Sequence, residues 1–158
     1  MIRYVGFGIL AFAIVFGGRL IFFAFQSKKR PSDLGLVNGE LRLCGDKPNC
    51  VCSLNRDDGH KVEPIVLSTS ESKKLWASIQ QTLGTEKNVK LVSNTEDYLH
   101  FEYTTPLMGF VDDVELHRSN EQPMVIQIRS ASRVGYSDLG ANKKRIEKIR
   151  RKINDLEK

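Results

Sequence analysis

The stretch YLHFEYTTPLMGFVDDVELH, residues 98–117, holds two runs of period-two alternation around a short apolar loop. In the first, Leu99, Phe101 and Tyr103 alternate with Tyr98, His100 and Glu102. In the second, Val114 and Leu116 alternate with Asp113, Glu115 and His117. Alternation sends successive side chains to opposite sides of an extended chain, so each run reads as a strand with one apolar and one polar face. VKLVS (89–93) precedes them, and MVIQIRS (124–130) follows, with Met124, Ile126 and Ile128 alternating with Val125, Gln127 and Arg129. Four such strands predict an antiparallel sheet covered on one side and solvated on the other.

The flanking segments read as helices. In LSTSESKKLWASIQQTLG (67–84), Ser68 and Glu71 fit a capping box, Leu75, Trp76, Ile79 and Leu83 make one apolar stripe, and Gly84 closes it. The C-terminal segment places Leu139, Ile146, Ile149, Ile153 and Leu156 on an inner stripe. The predicted fold is α+β: a four-stranded antiparallel sheet with two helices packed on one face, forming a body over residues 68–158. Residues 27–67 lack periodicity and are punctuated by glycine and proline. They read as irregular chain wrapping the body, with Asn38-Gly39 marking a short hairpin.

Within residues 1–26, Tyr4 to Phe25 is an apolar run interrupted by one charge, Arg19, and reads as a single transmembrane helix rather than a cleaved signal peptide, for which Phe23-Ala24-Phe25 is a poor cleavage site. This predicts a membrane location and lipid contact through that helix. Lys28, Lys29 and Arg30 place the domain in the cytoplasm by the positive-inside rule. Cys44, Cys50 and Cys52 argue for the opposite side, because Cys44 and Cys50 would close a short loop in an oxidising compartment. Buried inert thiols, and a zinc site completed by His60, are the other readings of the cysteines. The balance favours the extracytoplasmic side.

Net charge is +5, all of it accounted for by residues 143–158 with eight Lys/Arg against three Asp/Glu. Interspersed acids and the lack of neighbouring aromatics make this a solvated helix face, and nucleic acid is not an expected partner. Asp113, Glu115 and His117 share a strand face, a pattern open to metal ligation but better read as solvated, so no metal and no cofactor are expected. Placing Leu116 beside Ile126 in neighbouring strands sets Asp113 opposite Arg129 as a structural ion pair.

The segment RSASRVGYSDLGANKKRIEKIRRKI (129–153) crowds polar side chains around a turn before the last helix. Asn142 falls on the inward stripe, where its amide requires partners from the turn or from a ligand. Asp138 caps the helix, and Arg133 and Arg145 have no assigned carboxylate. Arg133, Arg145, Asp138, Asn142 and Tyr136 therefore form the candidate ligand site, suited to a small anion.

The strings CGDKPNCVCS (44–53), HKVEPI (60–65), GFVDDVE (109–115) and RSASRVGYSDLGANKKRIEKIR (129–150) resemble the domain of unknown function 1499 family over residues 34–153. The resemblance implies bacterial or plastid relatives, often membrane-associated, and no established activity. Cys52 stands where similar proteins usually carry serine, which implies Cys44–Cys50 as the disulfide pair and Cys52 as the spare thiol. The leading expectation is a membrane-tethered accessory domain that binds a small anionic or lipid-like ligand, or an envelope protein. The alternatives are a metal- or carboxylate-assisted hydrolase using Asp113, Glu115 and His117 or Asp138, and a structural scaffold without ligand.

Overall fold

The computed structural model describes residues 2–68, 72–119 and 121–158. Glu71, half of the expected capping box, lies outside them. A first helix, α1 (Ile2–Ser27), leads into two short hairpin strands, β1 (Leu36–Val37) and β2 (Glu40–Leu41). Then come β3 (Cys50–Cys52), β4 (Ile65–Val66) and helix α2 (Ser72–Gly84). Four longer strands follow, β5 (Val89–Asn94), β6 (Tyr98–Thr104), β7 (Val111–Arg118) and β8 (Val125–Ser132), and the chain closes with α3 (Ala141–Leu156). The β1–β2 turn carries Asn38 and Gly39 at φ 52° and 81°, the left-handed pair that an Asn-Gly hairpin turn requires.

The sheet is six-stranded rather than four-stranded. Its order is β3-β8-β7-β6-β5, with β4 also pairing along β8. The two extra strands come from the segment expected to be irregular. They are only two or three residues long, too short to print an alternation, and each forms because β8 offers it an unpaired edge.

Helices α2 and α3 cover one face. Leu75, Trp76, Ile79 and Leu83 of α2, and Ile146, Ile149 and Ile153 of α3, join Leu99, Phe101, Val114, Leu116, Ile126 and Ile128 in one apolar core. Leu139, expected on the inner stripe, is instead 90% exposed and left-handed at φ 53°, because it belongs to the turn that precedes the helix. Arg118 lies over the Trp76 ring at 5.2 Å, and the indole donates to the Thr95 carbonyl at 3.3 Å.

Two further expectations fail in this architecture. Among the described residues no helix is long and apolar enough to cross a membrane. Arg19 breaks the apolar run of α1, and Gln26 and Ser27 end it. This overturns the single-pass anchor for residues 1–26, and with it the lipid contact and membrane placement that rested on that anchor. The register between β7 and β8 also differs. Asp113 pairs with Ala131, Glu115 with Arg129 and Leu116 with Ile128, so the expected Asp113–Arg129 pair does not form. A two-residue slip leaves the apolar faces aligned, so hydrophobic pattern alone does not choose between registers.

Candidate functional site

The sheet face opposite the helices is not solvated. It presents Tyr98, His100 and Glu102 from β6, Asp113, Glu115 and His117 from β7, and Arg129 from β8. Every residue of β7 is buried. Asp113 is 2% exposed and Glu115 1%. The cover is the chain between α1 and β3: Leu41, Cys52 and Tyr98 form a second small core, with Leu36, Cys44 and Leu54 packed against it. Cys44 and Cys50 are joined by a disulfide, with Cα atoms 5.7 Å apart. Cys52 is a free, buried thiol, and burial pushes its pKa up.

Buried charges of this kind need partners, and each carboxylate here has them. Glu115 accepts from the Tyr98 hydroxyl at 2.7 Å, the Gly35 amide at 2.9 Å and Arg129 Nη1 at 2.7 Å. Asp113 accepts from His100 Nε2 at 2.8 Å and from Arg133 through Nε at 2.8 Å and Nη2 at 2.7 Å. Burial opposes ionisation of Asp113, but the bonds from Arg133 and His100 outweigh it and hold the carboxyl below its usual range. Glu102 is held down in the same way, burial being outweighed by Arg133 and Arg30. Burial and the neighbouring Glu115 push the Tyr98 phenol far up, so it stays a donor. His117 is driven below the ordinary histidine value, chiefly by burial. Among the described residues no group of three His, Cys, Asp or Glu is placed to hold a metal ion. His60 pairs instead with Asp57.

The turn after β8 is locked by the same logic. Asn142 is fully buried. Its Oδ1 accepts from Ser130 at 2.6 Å, and its Nδ2 donates to the Asn49 carbonyl at 2.8 Å and to Ser132 Oγ at 3.0 Å. Asn49 in turn donates to the Gly135 carbonyl at 2.9 Å. Asp138 accepts from the Gly140 amide at 3.0 Å and the Asn142 amide at 2.6 Å, serving the helix start even though left-handed Gly140 occupies the position before it. Arg145 donates to Asp112, Ser130 and Asn142 and lies over the Tyr103 ring at 5.2 Å.

Arg133 is the centre of the arrangement. Its side chain is 3% exposed. Beyond Asp113, it donates to Glu102 at 2.6 Å and to the Ser27 and Lys28 carbonyls at 3.1 and 3.4 Å. A guanidinium has five N–H donors, and these contacts use all of them. Of the five residues expected to bind a ligand, Arg133, Arg145, Asp138 and Asn142 are engaged by the protein itself. Tyr136 alone stands free at the surface, 71% exposed.

Two clefts adjoin this turn. The wider one, about 900 Å³, is lined by Lys29, Arg30, Lys47, Arg133 and Tyr136 among others. Asp33, its one acid, pairs with Arg42 at 3.4 Å. Arg30 pairs with Glu102, while Lys29 and Lys47 have no carboxylate partner among the described residues. The narrower cleft, about 380 Å³, runs between α1, the 105–110 loop and the start of α3. Lys29, Lys47 and Asn49 sit in the segments without periodicity, so sequence reasoning had no face on which to place them.

The family profile described as "Protein of unknown function (DUF1499)" matches residues 40–153. A search of curated proteins finds no match.

Proposed function

The chain belongs to the DUF1499 family, whose description assigns no activity, and on that premise we propose that it is a binding domain for a small anionic ligand. The site is the wide cleft between the C-terminal end of α1 and the β8–α3 turn. The observation that carries this reading is the pair of lysines, Lys29 and Lys47, which share the cleft and form no ion pair among the described residues. Arg30 and Arg133 also line the cleft, their charges matched by Glu102 and Asp113. Like charges gathered in one concavity repel, and an anion relieves that repulsion while accepting hydrogen bonds from the ammonium groups. Tyr136 at the rim offers a hydroxyl donor.

The hydrolase alternative finds little support. Asp113 and Glu115 are sealed beneath the covering segment with their oxygens occupied, and a general acid or base must reach a substrate proton. Asp138 spends both oxygens on backbone amides.

Calorimetric titration of the full chain with inorganic phosphate tests the binding reading. Lys29→Gln combined with Lys47→Gln lowers the affinity at least tenfold, and raised salt weakens binding to the native chain. Phosphate binding unchanged by the double substitution overturns it.

A further inference from the structure

The two clefts are neighbours. Phe23, Val134 and Gly135 line both of them, so the basic cleft and the narrow cleft adjoin at these residues. Gly135 sits at φ 90°, a conformation that a side chain resists. Beyond it the wall is Phe23, Phe110, Val134, Leu139 and Ala141. The two acids there, Asp112 and Asp138, are turned away into Arg145 and into the Gly140 and Asn142 amides. Asp112 is thus paired with a cation, and the oxygens of Asp138 are taken up by the helix start.

Resting on the anion-binding reading above, we infer that the natural ligand is a single-chain anionic amphiphile. Its head lies against Lys29 and Lys47, and its hydrocarbon chain passes Val134 and Gly135 into the cleft between Phe110 and Ala141. The charge pattern selects this occupant. A free inorganic anion leaves the apolar cleft wet, and a neutral hydrocarbon leaves the lysines unpaired. A molecule with one end of each kind satisfies both, because burying apolar surface adds to the ionic contact without displacing it.

A series of alkyl phosphates (methyl, butyl, hexyl and octyl), titrated into the full chain below their micelle concentrations, tests the inference. Affinity is expected to rise with chain length by up to about fourfold per methylene, the factor equivalent to about 0.8 kcal/mol for a buried CH₂. Ala141→Phe, which fills the narrow cleft from the first turn of α3, removes that dependence while methyl phosphate binds as before. Phe110→Ser weakens octyl but not methyl phosphate, and thermal unfolding of both variants confirms that they fold. Equal affinity for methyl and octyl phosphate overturns the amphiphile inference and leaves the anion site standing. A chain-length dependence untouched by Ala141→Phe also overturns it, because the chain then lies elsewhere. Failure of every member of the series, inorganic phosphate included, removes both readings together.

Discussion

On the helix-covered face of the sheet, Phe101, Leu116 and Ile128 meet the stripes of α2 and α3, and the contacts are apolar, non-directional and tolerant of small shifts. On the loop-covered face, Asp113, Glu115 and His100 are as deeply buried, but the carboxylate oxygens of Asp113 and Glu115 each accept from a specific partner. The first face supplies hydrophobic free energy in proportion to area. The second carries a desolvation cost that its ion pairs roughly offset, so its net stabilisation is small even though removing one partner is expensive. What the second face adds is choice of register. Sliding β8 by two residues would keep every apolar side chain on the core side, but it would carry Arg129 away from Glu115 and Arg133 away from Asp113. The charged layer distinguishes arrangements that the apolar layer treats as equal.

Breaking the loop-covered face is expected to have the largest effect. Arg133→Ala leaves Asp113 and Glu102 without their main partner and should cost about 3–5 kcal/mol, as much as Phe101→Ala should cost on the other face by cavity formation. Denaturant unfolding measures both. The comparison sharpens in a double-mutant cycle: Asp113→Asn with Arg133→Ala should cost much less than the sum of the singles, since the stranded charge is gone. Phe101→Ala with Asp113→Asn should be close to additive. Additivity of Asp113 and Arg133 would show that the pair is not coupled as the geometry requires.

Acid should separate the faces next. The folded pKa values of Asp113 and Glu102 are depressed, so their stabilisation is fully present above the ordinary carboxylate range, near pH ~4. It is lost as pH falls through the depressed folded values. Unfolding free energy of the native chain should therefore drop in this acid range, and that of Arg133→Ala should drop less. Equal slopes for the two proteins would break the assignment.

Smaller effects are expected from the cover and the turn. Cys44→Ser opens the loop that ties the covering segment together. Loop-closure entropy for so short a loop gives a loss of about 2 kcal/mol, read from melts of the variant and of the reduced protein. Asp138→Ala removes the acceptor for the Gly140 and Asn142 amides and should cost about 0.5–2 kcal/mol, with the β7–β8 register unchanged by amide exchange.

Local pattern was sufficient wherever a residue's role depends on its neighbours in sequence. Period-two alternation in β6, β7 and β8 set the strands and told their faces apart. The 3.6-residue stripe placed Leu75, Trp76, Ile79 and Leu83 in the core, and Asn38-Gly39 marked its hairpin. The inward position of Asn142 was legible too, because helical spacing alone puts it between buried isoleucines. Alternation reports which side chains share a face, but it is silent on what lies over that face. The segment that seals Asp113 and Glu115 carries no repeat, and its strands β3 and β4 exist only as partners for β8. Partner choice among the arginines was decided by contacts spanning up to 106 residues, and the strand register followed from those contacts because hydrophobic pattern is degenerate under a two-residue shift. The sequence by itself determined the longer strands, the helices flanking them and their inward faces. Only the tertiary structure decided that the polar face is buried and that Arg133 is spent on the fold. It also brought Lys29 and Lys47, from segments with no local signature, to the same cleft.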